Sequence, residues 1–123
     1  MNNDINSAIS LAHLRLVVCD LATAVEFFEA LGGAADVRQD KFVVVALADD
    51  TRLQLIQSED GVAAASSLQF DFRVGDIDAA WQSYADKGLN PGEIQRRRPG
   101  HDSFTVIGPD ATEVKINGTY KRS

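Results

Sequence analysis

The chain has 123 residues, 45% hydrophobic and 24% charged, with a formal net charge of -6. That is one-domain length, with core enough to fold without staples, and it is too apolar for wholesale disorder. No apolar run approaches the roughly 20 residues of a membrane span, and the acidic balance argues against nucleic acid, whose phosphates need a basic face.

In chain order, residues 1–10 form a polar leader with no basic residue and no apolar block, which does not read as a secretory signal. Residues 11–19 (LAHLRLVVC) are β-rich. Asp20 is a natural N-cap for a helix starting at Leu21, in which Leu21, Val25, Phe28 and Leu31 recur at helical spacing until Gly32-Gly33. Residues 42–48 (FVVVALA) read as a buried strand. Asp49-Asp50 supplies a turn, and residues 52–56 (RLQLI) alternate as a half-buried strand. Residues 58–67 are small and polar, a linker composition.

The programme then restarts. Residues 68–74 (LQFDFRV) alternate, Asp76 is a second N-cap, and Ile77, Ala80, Trp81, Tyr84 and Ala85 form a helical face ended by Gly88. Three further strands are expected at residues 93–98, 103–107 and 113–117, with Pro99-Gly100 and Gly108-Pro109-Asp110 between them. An offset of 56 matches Asp20 to Asp76, Phe28 to Tyr84 and Gly32 to Gly88. An offset of 61 then matches Asp49 to Asp110, Leu53 to Val114 and Leu55 to Ile116. Each half therefore reads β-α-β-β-β. The expected organisation is one domain over residues 11–118, built of modules 11–57 and 68–118 joined by linker 58–67.

This order, with the HLRLVVCDL opening, the FFEALGG helix end, the RLQLI strand and GPDATEVKI, resembles the vicinal oxygen chelate superfamily. That superfamily includes glyoxalase I, extradiol dioxygenases and bleomycin-resistance proteins. The resemblance covers roughly residues 11–118 and implies an α+β fold of two βαβββ modules, whose mixed sheets form a cupped cavity. It also implies a homodimer, packed side by side or by exchange of modules. Metal enzymes of the family place four ligands in the first and last strands of the modules. Those positions here are His13, Gln54, Gln69 and Lys115.

Side chains alternate across a strand. Leu14, Leu16, Leu53, Leu55, Phe70, Phe72, Val114 and Ile116 share one parity and should form the core. The opposite parity carries His13, Arg15, Arg52, Gln54, Gln69, Asp71, Arg73, Glu113 and Lys115, which the resemblance makes cup-lining candidates for ligand binding. Their formal charge is mildly positive, which suits a small polar or anionic ligand. Lys115 stands where the family carries a carboxylate, and an ammonium has no lone pair for a metal. No metal or other cofactor is therefore expected. Lys115 is instead expected to pair with Glu113 or Asp71.

The expected function is metal-free binding of a small molecule, as in the bleomycin-resistance branch. A lyase, isomerase or dioxygenase is the first alternative, either using a degenerate metal site or working without metal through His13 and Glu113 as acid/base candidates. An accessory protein with a vestigial cavity is the second. Among other features, Arg96-Arg97-Arg98 reads as a solvated strand with alternating sides, and His101 as exposed in a turn. Cys19, the single cysteine, reads as a small buried filler and fits a reducing cytoplasm. No phosphate loop, dinucleotide fingerprint or serine-nucleophile elbow is present. Membrane and nucleic-acid partners are not expected.

Overall fold

The structure, a computed structural model, describes Ile9, residues 11–61 and residues 69–122. The rest of the leader and linker residues 62–67 lie outside the described residues. The elements run β1 (His13–Val18), α1 (Leu21–Leu31), β2 (Ala34–Gln39), β3 (Phe42–Ala46), β4 (Arg52–Gln57), β5 (Gln69–Arg73), α2 (Ile77–Asp86), β6 (Gly100–Ile107), a short 3-10 turn (Pro109–Ala111) and β7 (Glu113–Lys121). No helix is long and apolar enough to cross a membrane among the described residues.

Both helices start as their caps dictate. The Asp20 carboxylate accepts from the Thr23 N–H at 3.4 Å, and that of Asp76 accepts from the Ala79 N–H at 3.0 Å. Helix α1 ends at Gly32, whose φ of 125° is open to a residue without Cβ. Its inner face buries Leu21, Ala24, Val25, Phe27 and Phe28.

Two mixed sheets carry the helices, with orders β1-β4-β3-β2 and β5-β7-β6. In each, the first and last strands of the half run parallel, and the remaining pairings are antiparallel. The repeat holds residue by residue. Leu14 pairs Leu53 and Leu16 pairs Leu55, while Phe70 pairs Val114 and Phe72 pairs Ile116, at the offsets that the sequence shows. The turns match too. Asp49 and Asp50 have positive φ, as do Asp110 and Ala111. The bonds Leu47 N–H to Thr51 O and Thr51 N–H to Ala48 O recur as Gly108 N–H to Thr112 O and Thr112 N–H to Pro109 O.

The core parity is as expected. Leu53, Leu55, Phe70, Val114 and Ile116 are buried, and Leu14, Leu16 and Phe72 pack against them. One continuous apolar cluster spans both halves. Phe28 stands edge-on to Phe70 with ring centroids 5.6 Å apart, and the Tyr84 hydroxyl donates to the Leu31 carbonyl at 2.6 Å. Burial holds the Tyr84 phenol above its ordinary pKa. The two halves thus meet through their helix-bearing sides.

Four local expectations are corrected. Residues 93–98 are not a full strand: pairing there narrows to a single bridge, Gln95 to Ser103. The arginines do not simply alternate into solvent. A register shift in β6 between His101 and Ser103 accompanies the complete burial of Asp102. Its carboxylate accepts from Lys121 Nζ at 2.6 Å, the Arg97 N–H at 3.1 Å and Arg96 Nη1 at 2.9 Å. Together these donors hold Asp102 far below the usual carboxylate range, in that order of importance. Arg96 also pairs with Asp78 at 2.7 Å, which lowers the Asp78 pKa and raises that of Arg96. The backbone here is recruited to satisfy a buried charge, which displaces regular pairing.

Cys19 is exposed, not a buried filler, and its thiol lies 2.7 Å from the Gly61 carbonyl oxygen. It follows the last strand residue, outside the alternation that would turn it inward. His101 belongs to β6 rather than a turn; its Nδ1 is 2.7 Å from the Gly118 carbonyl oxygen and its ring stacks edge-on against Tyr120.

Candidate functional site

Each sheet has one face under a helix and one turned away. The nine expected residues all fall on the faces turned away, by register and by exposure. On the first sheet His13 lies opposite Arg52 and Arg15 opposite Gln54. On the second, Gln69 lies opposite Glu113, Asp71 opposite Lys115, and Arg73 opposite Asn117. No ladder joins the two sheets among the described residues.

The polar contacts on these faces are few. Arg15 Nε donates to Gln54 Oε1 at 3.0 Å, and Arg52 Nε lies 3.5 Å from an Asp36 carboxylate oxygen. Asp71 accepts from Asn117 Nδ2 at 2.6 Å. The expected ion pair of Lys115 with Glu113 or Asp71 is not among the ion pairs of the described residues. Asn117, a short neutral donor one pleat along β7, has taken the Asp71 carboxylate instead. The side chains of His13, Glu113 and Lys115 make no hydrogen bond or ion pair with described residues.

The first face also has an apolar half that alternation of polar residues in the sequence does not mark. Val17 lies opposite Ile56, and Ile56 opposite Phe42, with Val44 beside Gln54. The signal was present in β3. Its burial alternates, with Val43 and Val45 inside and Phe42, Val44 and Ala46 partly exposed. An unbroken apolar run hides that alternation, because both faces carry the same kind of residue.

A cavity of about 490 Å³ lies elsewhere, between β5, an edge strand among the described residues, and the end of α1. Leu14, Phe28, Leu31 and Leu47 line it on one side, with residues 69–74 and Tyr84 on the other. Only Gln69, Asp71 and Arg73 of the nine expected residues reach it.

The four family-equivalent positions make a poor donor set for a divalent ion. Only His13 offers an imidazole. The one acceptor oxygen of Gln54 already accepts from the Arg15 guanidinium, which sets a positive charge beside it. Lys115 adds an ammonium. Among the described residues no cluster of three or more His, Cys, Asp or Glu side chains is arranged to hold a metal. The residues present do not fit a family-type metal centre.

Paired modules, each a mixed sheet with one helix on one face and the other face turned away, define a class, and the sequence agrees with it. Residues 10–116 match the Glyoxalase/Bleomycin resistance protein/Dioxygenase superfamily, and the chain belongs to that family. No curated protein sequence matches it. Among solved structures it is similar to an integron cassette protein from the mobile metagenome of V. cholerae. That likeness has a TM-score of 0.75 and 22% identity, covering 94% of this chain and 98% of that one. Lactoylglutathione lyase from Agrobacterium tumefaciens gives 0.73 and 15%, covering 93% and 96%. TnmS3, an antibiotic binding protein from Streptomyces, gives 0.76 and 22%, covering 92% and 98%. At these identities the likeness speaks for the fold.

Proposed function

We propose that this protein binds a small organic molecule on the sheet faces turned away from its helices, without a catalytic metal, and releases it unchanged. The observation that carries this is the cation at the metal position: Arg15 holds the Gln54 oxygen, and Lys115 stands at the last-strand position. The binding residues are His13, Arg15, Arg52 and Gln54 on the first sheet, and Gln69, Asp71, Arg73, Glu113 and Lys115 on the second. A homodimer in a reducing compartment such as the cytoplasm completes the proposal. β1 and β5 are edge strands among the described residues and offer surfaces for pairing.

Metal analysis of protein purified without chelator, combined with a thermal-shift screen, tests it. A ligand present at 100 times its Kd should add about 2.7 kcal/mol to stability. Divalent ions should add nothing. A stoichiometric metal that His13→Ala removes refutes the metal-free reading. Turnover is the second reading, favoured by the side chains of His13 and Glu113, which no described residue engages. Product formed from a glyoxalase or dioxygenase substrate and lost in both His13→Ala and Glu113→Gln would establish it.

A further inference from the structure

The first sheet's outer face has a polar end and an apolar end. At the apolar end Val17, Ile56 and Phe42 form one row across three strands, with Val44 next to it. All four are partly exposed, and none is among the residues packed against the core. The fold does not demand apolar residues there. The second module sets Arg73, Asn117 and Ser103 at the corresponding ladder positions. The same backbone therefore carries a polar row in one half and an apolar row in the other. The apolar row is a choice of side chain, not a consequence of packing.

Arg15 stands one pleat from Val17, on the same strand and the same face, roughly 7 Å away. Its Nε is fixed by Gln54. That bond sets the guanidinium in one orientation and leaves its two terminal nitrogens for another acceptor. Arg52 has Asp36 within 3.5 Å, but Arg15 has no carboxylate partner among the described residues. An uncompensated guanidinium beside an apolar floor is complementary to one kind of molecule. Its two terminal nitrogens match two oxygens of one anionic group, and the flat row matches a ring system.

We infer that this face takes a flat, apolar ring system bearing one anionic group such as a carboxylate, sulfonate or phenolate. The rings lie on Val17, Ile56 and Phe42, and the anion meets the terminal nitrogens of Arg15. This rests on the proposed ligand-binding role of the sheet faces, and it narrows the ligand from small and polar to amphipathic and acidic.

Anilinonaphthalene sulfonate and its uncharged counterpart N-phenylnaphthylamine separate the two halves of the inference, with fluorescence titration as the readout. The sulfonate should bind saturably and the uncharged probe about tenfold more weakly, the worth of a charge-assisted contact. Arg15→Gln should erase that difference. Phe42→Ser and Val17→Ser, which copy residue types found on these sheets, should weaken both probes. Their unchanged circular dichroism should show that they fold. Equal binding of the two probes by the wild type overturns the anionic half. Benzoate or acetate competing as well as the naphthyl sulfonate overturns the apolar half and leaves the binding role standing. Phe42→Ser that changes the oligomeric state but not probe affinity overturns the inference, since the patch would then belong to a second copy of the chain.

Discussion

The contact between the halves at Tyr84 gives a direct test of how they are held. Tyr84→Phe removes one oxygen and leaves the buried ring against Phe104, with centroids 5.9 Å apart. The hydroxyl donates to the Leu31 carbonyl at 2.6 Å, in the last turn of α1, where carbonyls lack helical partners. Loss of the bond should cost about 1–1.5 kcal/mol, toward the lower end for a buried acceptor because Leu31 is only partly buried. At about 2.1 cal/mol/K per residue, unfolding entropy for this length is about 0.26 kcal/mol/K, so the midpoint should fall by about 4–6 °C. Lys87→Met is the comparison. Lys87 Nζ reaches the neighbouring Ala30 carbonyl at 2.9 Å, but in solvent, and should change stability by less than about 0.5 kcal/mol. Calorimetry and urea unfolding give both numbers. A Tyr84→Phe midpoint within 1 °C of wild type would refute the assignment of that bond as a tie between the halves.

Asp102 ionises far more readily in the fold than in the unfolded chain, so its stabilisation is present above about pH 4 and lost as pH falls toward the folded value. Asp102→Asn should therefore lower the midpoint at pH 7 and flatten its dependence on acid; an unchanged acid limb would count against the clamp. Gly108→Ala would put a Cβ within 2.5 Å of the buried Phe27 ring and should destabilise by about 1–3 kcal/mol, measurable by urea unfolding and eased by Phe27→Leu. Asp76→Ala should cost about 1 kcal/mol, and Asp20→Ala less, because the Asp20 cap bond is 3.4 Å against 3.0 Å. Chemical denaturation of the two variants side by side checks that order.

Much of this molecule is dictated locally. Asp20 and Asp76 start helices wherever such a residue precedes an apolar periodic run, because the cap satisfies donors within one turn. The inward parity of Leu53, Leu55, Val114 and Ile116 follows from strand geometry alone, and the two offsets translate into matching ladders. The nine polar residues of the outer faces were legible for the same reason. What the tertiary structure decided involves partners distant in sequence. Asp102 recruits Lys121 from the end of β7 and Arg96 from what alternation alone would make a strand. Asn117, not Lys115, meets Asp71. Gln54 holds Arg15 through its amide oxygen. The outer side of Phe42 and Val44 becomes visible only when register places them beside Ile56 and Val17. A run of apolar residues specifies that a strand forms, but which of its two sides the core covers is settled by where the helix packs.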